Sequence, residues 1–201
     1  MPLRRCSLAE LGVNPIPGPF SHYLNYLETA LLAALVRSVS PKVMIEFGCN
    51  EGRTAARMLE NVPTLEKYIG IDVPPDFETT LACQRTEVPK DAGFWASGDP
   101  RFFLLLQRSR DLRDGDLEDV DAVFIDGDHS EAAVLHESRL AFRLLRRPGI
   151  IVWHDYQNPA VEVTTALNWL AIEGWPISYV ENSWIAFMRV EDTHHAAAKA
   201  A

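Results

Sequence analysis

Short apolar runs alternate with longer amphipathic stretches along this chain, and that alternation constrains its fold more than any other feature. A continuous apolar run closed by glycine or an acid suits a strand buried on both faces, and apolar spacing of three and four suits the helix that follows it. The runs "KVMIEFG" (42–48), "KYIGID" (67–72), "GFWASGD" (93–99), "VDAVFID" (120–126) and "GIIVWHD" (149–155) read as strands. Helical spacing predicts helices over 22–38, 51–62, 100–110 with Pro100 at its start, 131–147 ended by Pro148-Gly149, and 160–174. Strands separated by helices imply a parallel sheet covered on both faces, an α/β doubly wound layer. The end of the chain breaks this rhythm. "PISYVEN" and "SWIAFMRV" are separated only by polar residues around Glu181-Asn182-Ser183, too few for a crossover helix, so they are expected to pair antiparallel. Residues 73–92 hold three prolines and no sustained period, and read as a long loop with a short helix near Glu78–Arg85.

With 201 residues, 47% of them hydrophobic, the chain is long enough for one domain with a core of normal size. A net charge of −9 argues against a nucleic-acid surface, which needs clustered Lys and Arg. Neither a secretory apolar segment nor a membrane span is legible, so the expectation is a cytoplasmic protein that handles a small molecule and does not engage membrane. Cys6, Cys49 and Cys83 are odd in number and far apart, which suits free thiols better than disulfides or a metal knuckle. Three parts are expected: a helical segment over 1–39 packed on or capping the core, the main domain over 40–190, and a flexible tail over 191–201. The tail's His194 and His195 read as part of that tail rather than as a metal site. Apolar residues of the 22–38 helix and the 73–92 loop could form a lid, ordinary packing or the surface of a homo-oligomer.

"IEFGCNEGRTA" places Gly48 and Gly52 where the first main strand turns into its helix, the end of a parallel sheet that presents backbone N–H groups to a ligand. Their spacing, with Asn50 between them, departs from the dinucleotide fingerprint. Glu46 would repel a pyrophosphate but attract a cationic ligand head; alternatively the glycines make only a tight turn. Asp72 ends the second strand, where an acid can accept both ribose hydroxyls of an adenosine. Asp99, after the expected third strand, is placed beside an adenine or as the cap of the helix at Pro100.

"VFIDGDHS" ends a strand at Asp126, and "VWHDY" ends the next at Asp155. Both acids should emerge on the same sheet edge, bringing Asp128, His129 and His154 with them. Two chemistries would use such a group. Carboxylates could hold Mg²⁺ to orient and acidify a hydroxyl, or His129 or His154 could act as general base oriented by an acid. His136 falls inside a helix and reads as structural.

On these residues, residues 40–190 resemble the class I S-adenosylmethionine-dependent methyltransferases. "EFGCNEG" is similar to the family's first motif, Asp72 to its ribose-binding acid, "SGD" to its adenine-side acid, and the final hairpin to its antiparallel last strand. "VFIDGDHS" followed by "PGIIVWHDY" most resembles the small-molecule O-methyltransferase branch that includes sugar and macrolide methyltransferases. The resemblance implies a Rossmann-like sheet of seven strands, mostly parallel, and S-adenosylmethionine as cofactor. It implies cofactor contacts at Glu46, Gly48, Asn50, Gly52, Asp72 and Asp99, and an acceptor side built by Asp126, His129, His154 and Asp155. In metal-dependent relatives the ligands match Asp126 and Asp155, with Tyr156 standing where a second acid or amide is expected and a third ligand to come from Asp128, His129 or His154. The implied reaction is methyl transfer to a hydroxyl of a small-molecule acceptor. The rivals are a non-catalytic protein that binds the cofactor or a partner, and a nicotinamide-dependent oxidoreductase on a similar sheet.

Overall fold

The structure is a computed structural model and describes residues 3–11, 24–78, 88–113 and 115–191. Cys83, the helix expected near Glu78–Arg85 beyond residue 78, the start of the 22–38 helix and the tail histidines lie outside the described residues.

A single sheet organises the fold. Its five contiguous parallel strands are β2 (Val43–Phe47), β3 (Lys67–Asp72), β4 (Phe102–Leu106), β5 (Val120–Ile125) and β6 (Leu145–Trp153). The chain begins with β1 (Arg4–Cys6) and a short α1 (Leu8–Leu11), and ends with β7 (Ser178–Val180) and β8 (Ala186–Val190). The order across the sheet is β1-β7-β8-β6-β5-β2-β3-β4. As expected from the short connection, β8 runs antiparallel to both β7 and β6. The sheet has eight strands rather than seven, because Arg4–Cys6 adds in parallel to β7 within a stretch expected to be helical.

Alternation along the strands sorts the core into two layers. Ile45, Phe47, Val123, Ile125, Ile151 and Trp153 pack against α4 (Glu131–Leu144) and α5 (Val163–Ile172). Met44, Phe124, Ile150 and Val152 face α2 (Tyr26–Arg37) and α3 (Arg53–Asn61). Each fully buried side chain of this size contributes about 1.5–3 kcal/mol, so the doubly covered sheet carries most of the stability. No helix among the described residues is long and apolar enough to cross a membrane.

The sequence expectation fails between residues 93 and 110. "GFWASGD" forms turns rather than a strand, and the run expected as a helix from Pro100 supplies the edge strand β4. Five consecutive apolar residues, Phe102 to Leu106, satisfy a helix pattern and a strand pattern equally, and tertiary pairing with β3 decides. The 131–147 helix also ends early, at Leu144, and Leu145 already begins β6.

Candidate active site

The carboxyl edge of the sheet assembles from the turn after β2 outward. Gly48 has φ +85° and Gly52 φ +79°, conformations that side chains rarely adopt. Space enforces the choice as well. A Cβ on Gly48 would lie 2.2 Å from the Asp126 carbonyl oxygen, and one on Gly52 would lie 2.9 Å from Cα of Gly93. The glycine turn therefore touches the end of β5 directly. Asn50, also at positive φ, donates its N–H to Asp72 Oδ2 at 2.5 Å, while Val73 N–H donates to Oδ1 at 2.7 Å. Burial raises the Asp72 carboxyl above the ordinary carboxylate range, and these two donors only partly offset it.

Glu46 is buried close to that turn, whereas Asp99 stands elsewhere. Glu46 alternates onto the α2/α3 face, is 1% exposed and accepts a hydrogen bond from Tyr68 Oη at 2.9 Å. Burial pushes its carboxyl well up, and the side chain lies buried rather than lining an open cleft. Asp99 precedes β4 and so lies at the opposite, amino edge of the sheet, away from Asp72. There it pairs with Arg101 at 2.6 Å, and Arg101 in turn donates to the Leu59 and Leu65 carbonyls. Its expected place beside an adenine depended on a strand ending at residue 99, and that strand does not form. The carboxyl end of β4 is instead followed by Gln107, whose N–H donates to the Asp72 carbonyl, and by a 3₁₀ turn over Ser109–Asp111.

The acids and histidines of the two strand ends do converge. Register pairs Ile125 with Trp153, so the residues after them emerge side by side. His154 Nδ1 lies 3.2 Å from Asp126 Oδ1 and 3.4 Å from Asp155 Oδ2. His129 Nε2 lies 3.1 Å from Asp155 Oδ2 and 3.6 Å from Asp126 Oδ1, without the alignment of a full hydrogen bond. Asp155 holds φ +61°, a strained backbone that the Asn158 Nδ2 donor to its carboxylate helps to fix. Burial alone would lower both imidazoles, but the paired carboxylates win and push His129 up to about 10 and His154 up to about 12. Reciprocally, burial would raise Asp126 and Asp155, yet the histidines hold both below the usual carboxylate range. Asp126, His154 and Asp155 also offer ligand atoms within 4.8 Å of one another.

Three contributors were not legible in the sequence. Glu28 of α2 is 3% exposed and meets His154 Nε2 at 3.3 Å. Trp184, between β7 and β8, is 42% exposed with its ring 6.2 Å from that of His154. Glu137 of α4 is buried with Oε2 lacking a partner, and burial pushes it up to about 8. His136 stays on α4 with Nε2 3.2 Å from the Ser109 carbonyl, as its helical position suggested.

A glycine turn abutting a cluster of strand-end acids is found in many nucleotide-type folds, and the comparisons decide among them. The family model described as "Methyltransferase domain" matches residues 45–156, more than half of the chain. The chain belongs to this methyltransferase family. No curated protein sequence matches it. Its fold is shared with the O-methyltransferase TomG of Streptomyces achromogenes, solved with SAM, at TM-score 0.57 and 15% identity over 84% of this chain and 81% of that one. A Bacillus cereus O-methyltransferase solved with SAH gives TM-score 0.58 at 14% identity, covering 85% and 84%. The precorrin-6y C5,15-methyltransferase of Geobacter metallireducens gives 0.62 at 16%, covering 86% and 93%. The motif resemblance to class I S-adenosylmethionine-dependent methyltransferases is thus borne out in family and fold. This methyltransferase keeps Gly48, Asn50, Gly52, Asp72, Asp126, His129, His154 and Asp155 at one sheet edge, and leaves Asp99 at the other.

Proposed function

We propose that this methyltransferase uses S-adenosylmethionine to methylate a hydroxyl of a small molecule of sugar, macrolide or other natural-product-like character, with His129 removing the hydroxyl proton. The observation that carries the reading is the contact between the cofactor turn and the acid–histidine cluster: Gly48 packs on the Asp126 carbonyl so closely that a methyl group would not fit. Donor and acceptor sites are then neighbours, which is what a direct transfer demands.

The residues present fit the cofactor. Gly48 and Gly52 let the turn pack tightly against Asp126 and Gly93, Asn50 shapes the turn, and Asp72 offers its remaining lone pairs to ribose hydroxyls. TomG and the Bacillus cereus enzyme, which carry SAM and SAH in the same fold, support this choice. When bound, S-adenosylmethionine supplies an electrophilic methyl group on a sulfonium. The chain's own part is to hold the hydroxyl and take its proton. His154 is 4% exposed and both of its nitrogens face carboxylates, so it serves as a fixed positive charge rather than as the base. His129 is the more exposed imidazole, with Nε2 against the acids and Nδ1 left to receive a proton. Asp126 and Asp155 orient the ring and stabilise the imidazolium once it forms.

A second reading rests on one observation, the closeness of the Asp126, His154 and Asp155 ligand atoms. These residues would hold a divalent ion that lowers the acceptor's pKa. One nitrogen donor suits a softer ion better than Mg²⁺, and Tyr156 faces Tyr179 at 5.5 Å instead of supplying oxygen. The deciding assay follows SAH release from S-adenosylmethionine across a panel of hydroxylated sugars, macrolides and phenols, with and without EDTA. The base reading expects turnover that EDTA leaves intact. Loss of turnover in EDTA, restored by Mg²⁺ or Mn²⁺, would establish the metal, and release from no member of the panel counts against the hydroxyl acceptor.

A further inference from the structure

Glu28 lies outside the region that the family model matches, yet three elements meet on its one carboxylate. From α2 itself, Asn25 N–H and Nδ2 donate to Oε2 at 3.4 and 2.7 Å, closing a capping box. From the turn before β8, Trp184 N–H donates to Oε1 at 2.8 Å. From the end of β6, His154 Nε2 lies 3.3 Å from Oε2. The Trp184 peptide is held on its other side too, because its carbonyl accepts Tyr156 N–H at 2.9 Å.

A capping-box glutamate normally sits on the surface, where its task is to satisfy one backbone donor. Glu28 is 3% exposed, and a carboxylate taken that far from water is expensive unless it is paired. Capping alone does not require such burial. What the burial achieves is a second grip on His154, on the ring edge opposite the one that faces Asp126 and Asp155. With both edges held, the imidazole has no freedom to rotate, and the two acids that also flank His129 keep their spacing.

We propose that Glu28 is a positioning residue of this methyltransferase: it locks His154 between itself and the strand-end acids, and it fixes the Trp184 turn over the same place. Through it, α2 becomes a wall of the acceptor side. The relevance to methyl transfer rests on the function proposed above, but the placement of His154 and Trp184 is tested independently of it.

The test uses the full chain with ¹⁵N-labelled histidine, comparing wild type with Glu28→Gln and Glu28→Ala. Ring ¹H–¹⁵N correlations are read for His154, assigned through His154→Asn, and amide exchange is read at Trp184. Glu28→Gln keeps the shape and an acceptor for Trp184 but presents an amide to His154. It should displace or abolish the protected His154 Nε2–H signal while leaving Trp184 exchange and SAH affinity as in wild type. Glu28→Ala should in addition speed Trp184 exchange by at least about tenfold, as local opening of the turn requires. An unchanged His154 ring signal in Glu28→Gln overturns the proposal, whatever Glu28→Ala does to folding. Failure of the wild-type protein to bind SAH would instead count against the methyltransferase reading, and the ring signal would still decide the role of Glu28.

Discussion

His129 and His154 share the same two carboxylates, and what separates their roles is which ring edge is left over. His154 has Glu28 on its far edge, whereas His129 meets the acids through Nε2, and the proposed function assigns its Nδ1 to the acceptor's proton. His129→Asn should therefore lower methyl transfer by about 10²–10⁴-fold with SAH affinity unchanged, a pairing readable from turnover and calorimetry on the same preparation. Because the acids push His129 up to about 10, its base form is scarce at neutral pH. Turnover at saturating substrates should climb by about tenfold per pH unit toward that value, and a profile flat from neutral pH upward speaks against His129 as the base. At the cofactor turn, Gly48→Ala adds a Cβ 2.2 Å from the Asp126 carbonyl oxygen at positive φ. The expected result is a loss of about 2–4 kcal/mol in urea unfolding together with lost SAH binding. Most of this site was legible in the sequence for a simple reason: parallel strands deliver their terminal residues to one edge, so Asp72, Asp126 and Asp155 had to share it. Glu28 and Trp184 were hidden because they come from a helix cap and a hairpin turn, and only tertiary packing brings them to that edge.

Among the elements, β4 and α4 are where local pattern and tertiary structure disagreed. "FFLLL" has no polar residue to mark a face, so period alone does not separate a helix from a strand; pairing of Phe102–Leu106 with β3 settles the matter and moves Asp99 to the wrong edge. Leu145 to Arg147 likewise reads as the end of α4 by composition but joins β6 as a strand. α4 carries a further consequence. Glu137, buried on this helix, has its carboxyl raised from an ordinary 4.5 to about 8 by burial, with nearby Asp128 adding to the rise and Ser109 opposing it. In the unfolded chain the group ionises near 4.5, while in the folded one it keeps its proton until about 8. Folding stability from this group is thus complete below the lower value and is lost as pH rises toward the upper one. Chemical unfolding across that window should show wild-type stability falling, with a shallower fall in Glu137→Gln; parallel curves would mean that Glu137 ionises normally.

For the whole molecule, the antiparallel ending and the doubly covered sheet followed directly from the spacing of apolar runs, and the eighth strand did not. Arg4–Cys6 is too short and too charged to stand out, and it becomes a strand because β7 offers it an open edge. One sheet then ties the start of the chain, the cofactor turn and the acceptor cluster into a single body, so binding at the carboxyl edge should stabilise the whole fold. The most direct measurement is calorimetric titration of the wild-type chain and of Asp72→Ala with SAH, alongside thermal unfolding. Wild type should bind and melt at higher temperature with SAH present, and Asp72→Ala should lose at least about tenfold in affinity, or roughly 1.4 kcal/mol. No binding by the wild-type chain, or equal binding by Asp72→Ala, would contradict the assignment of this sheet edge to S-adenosylmethionine.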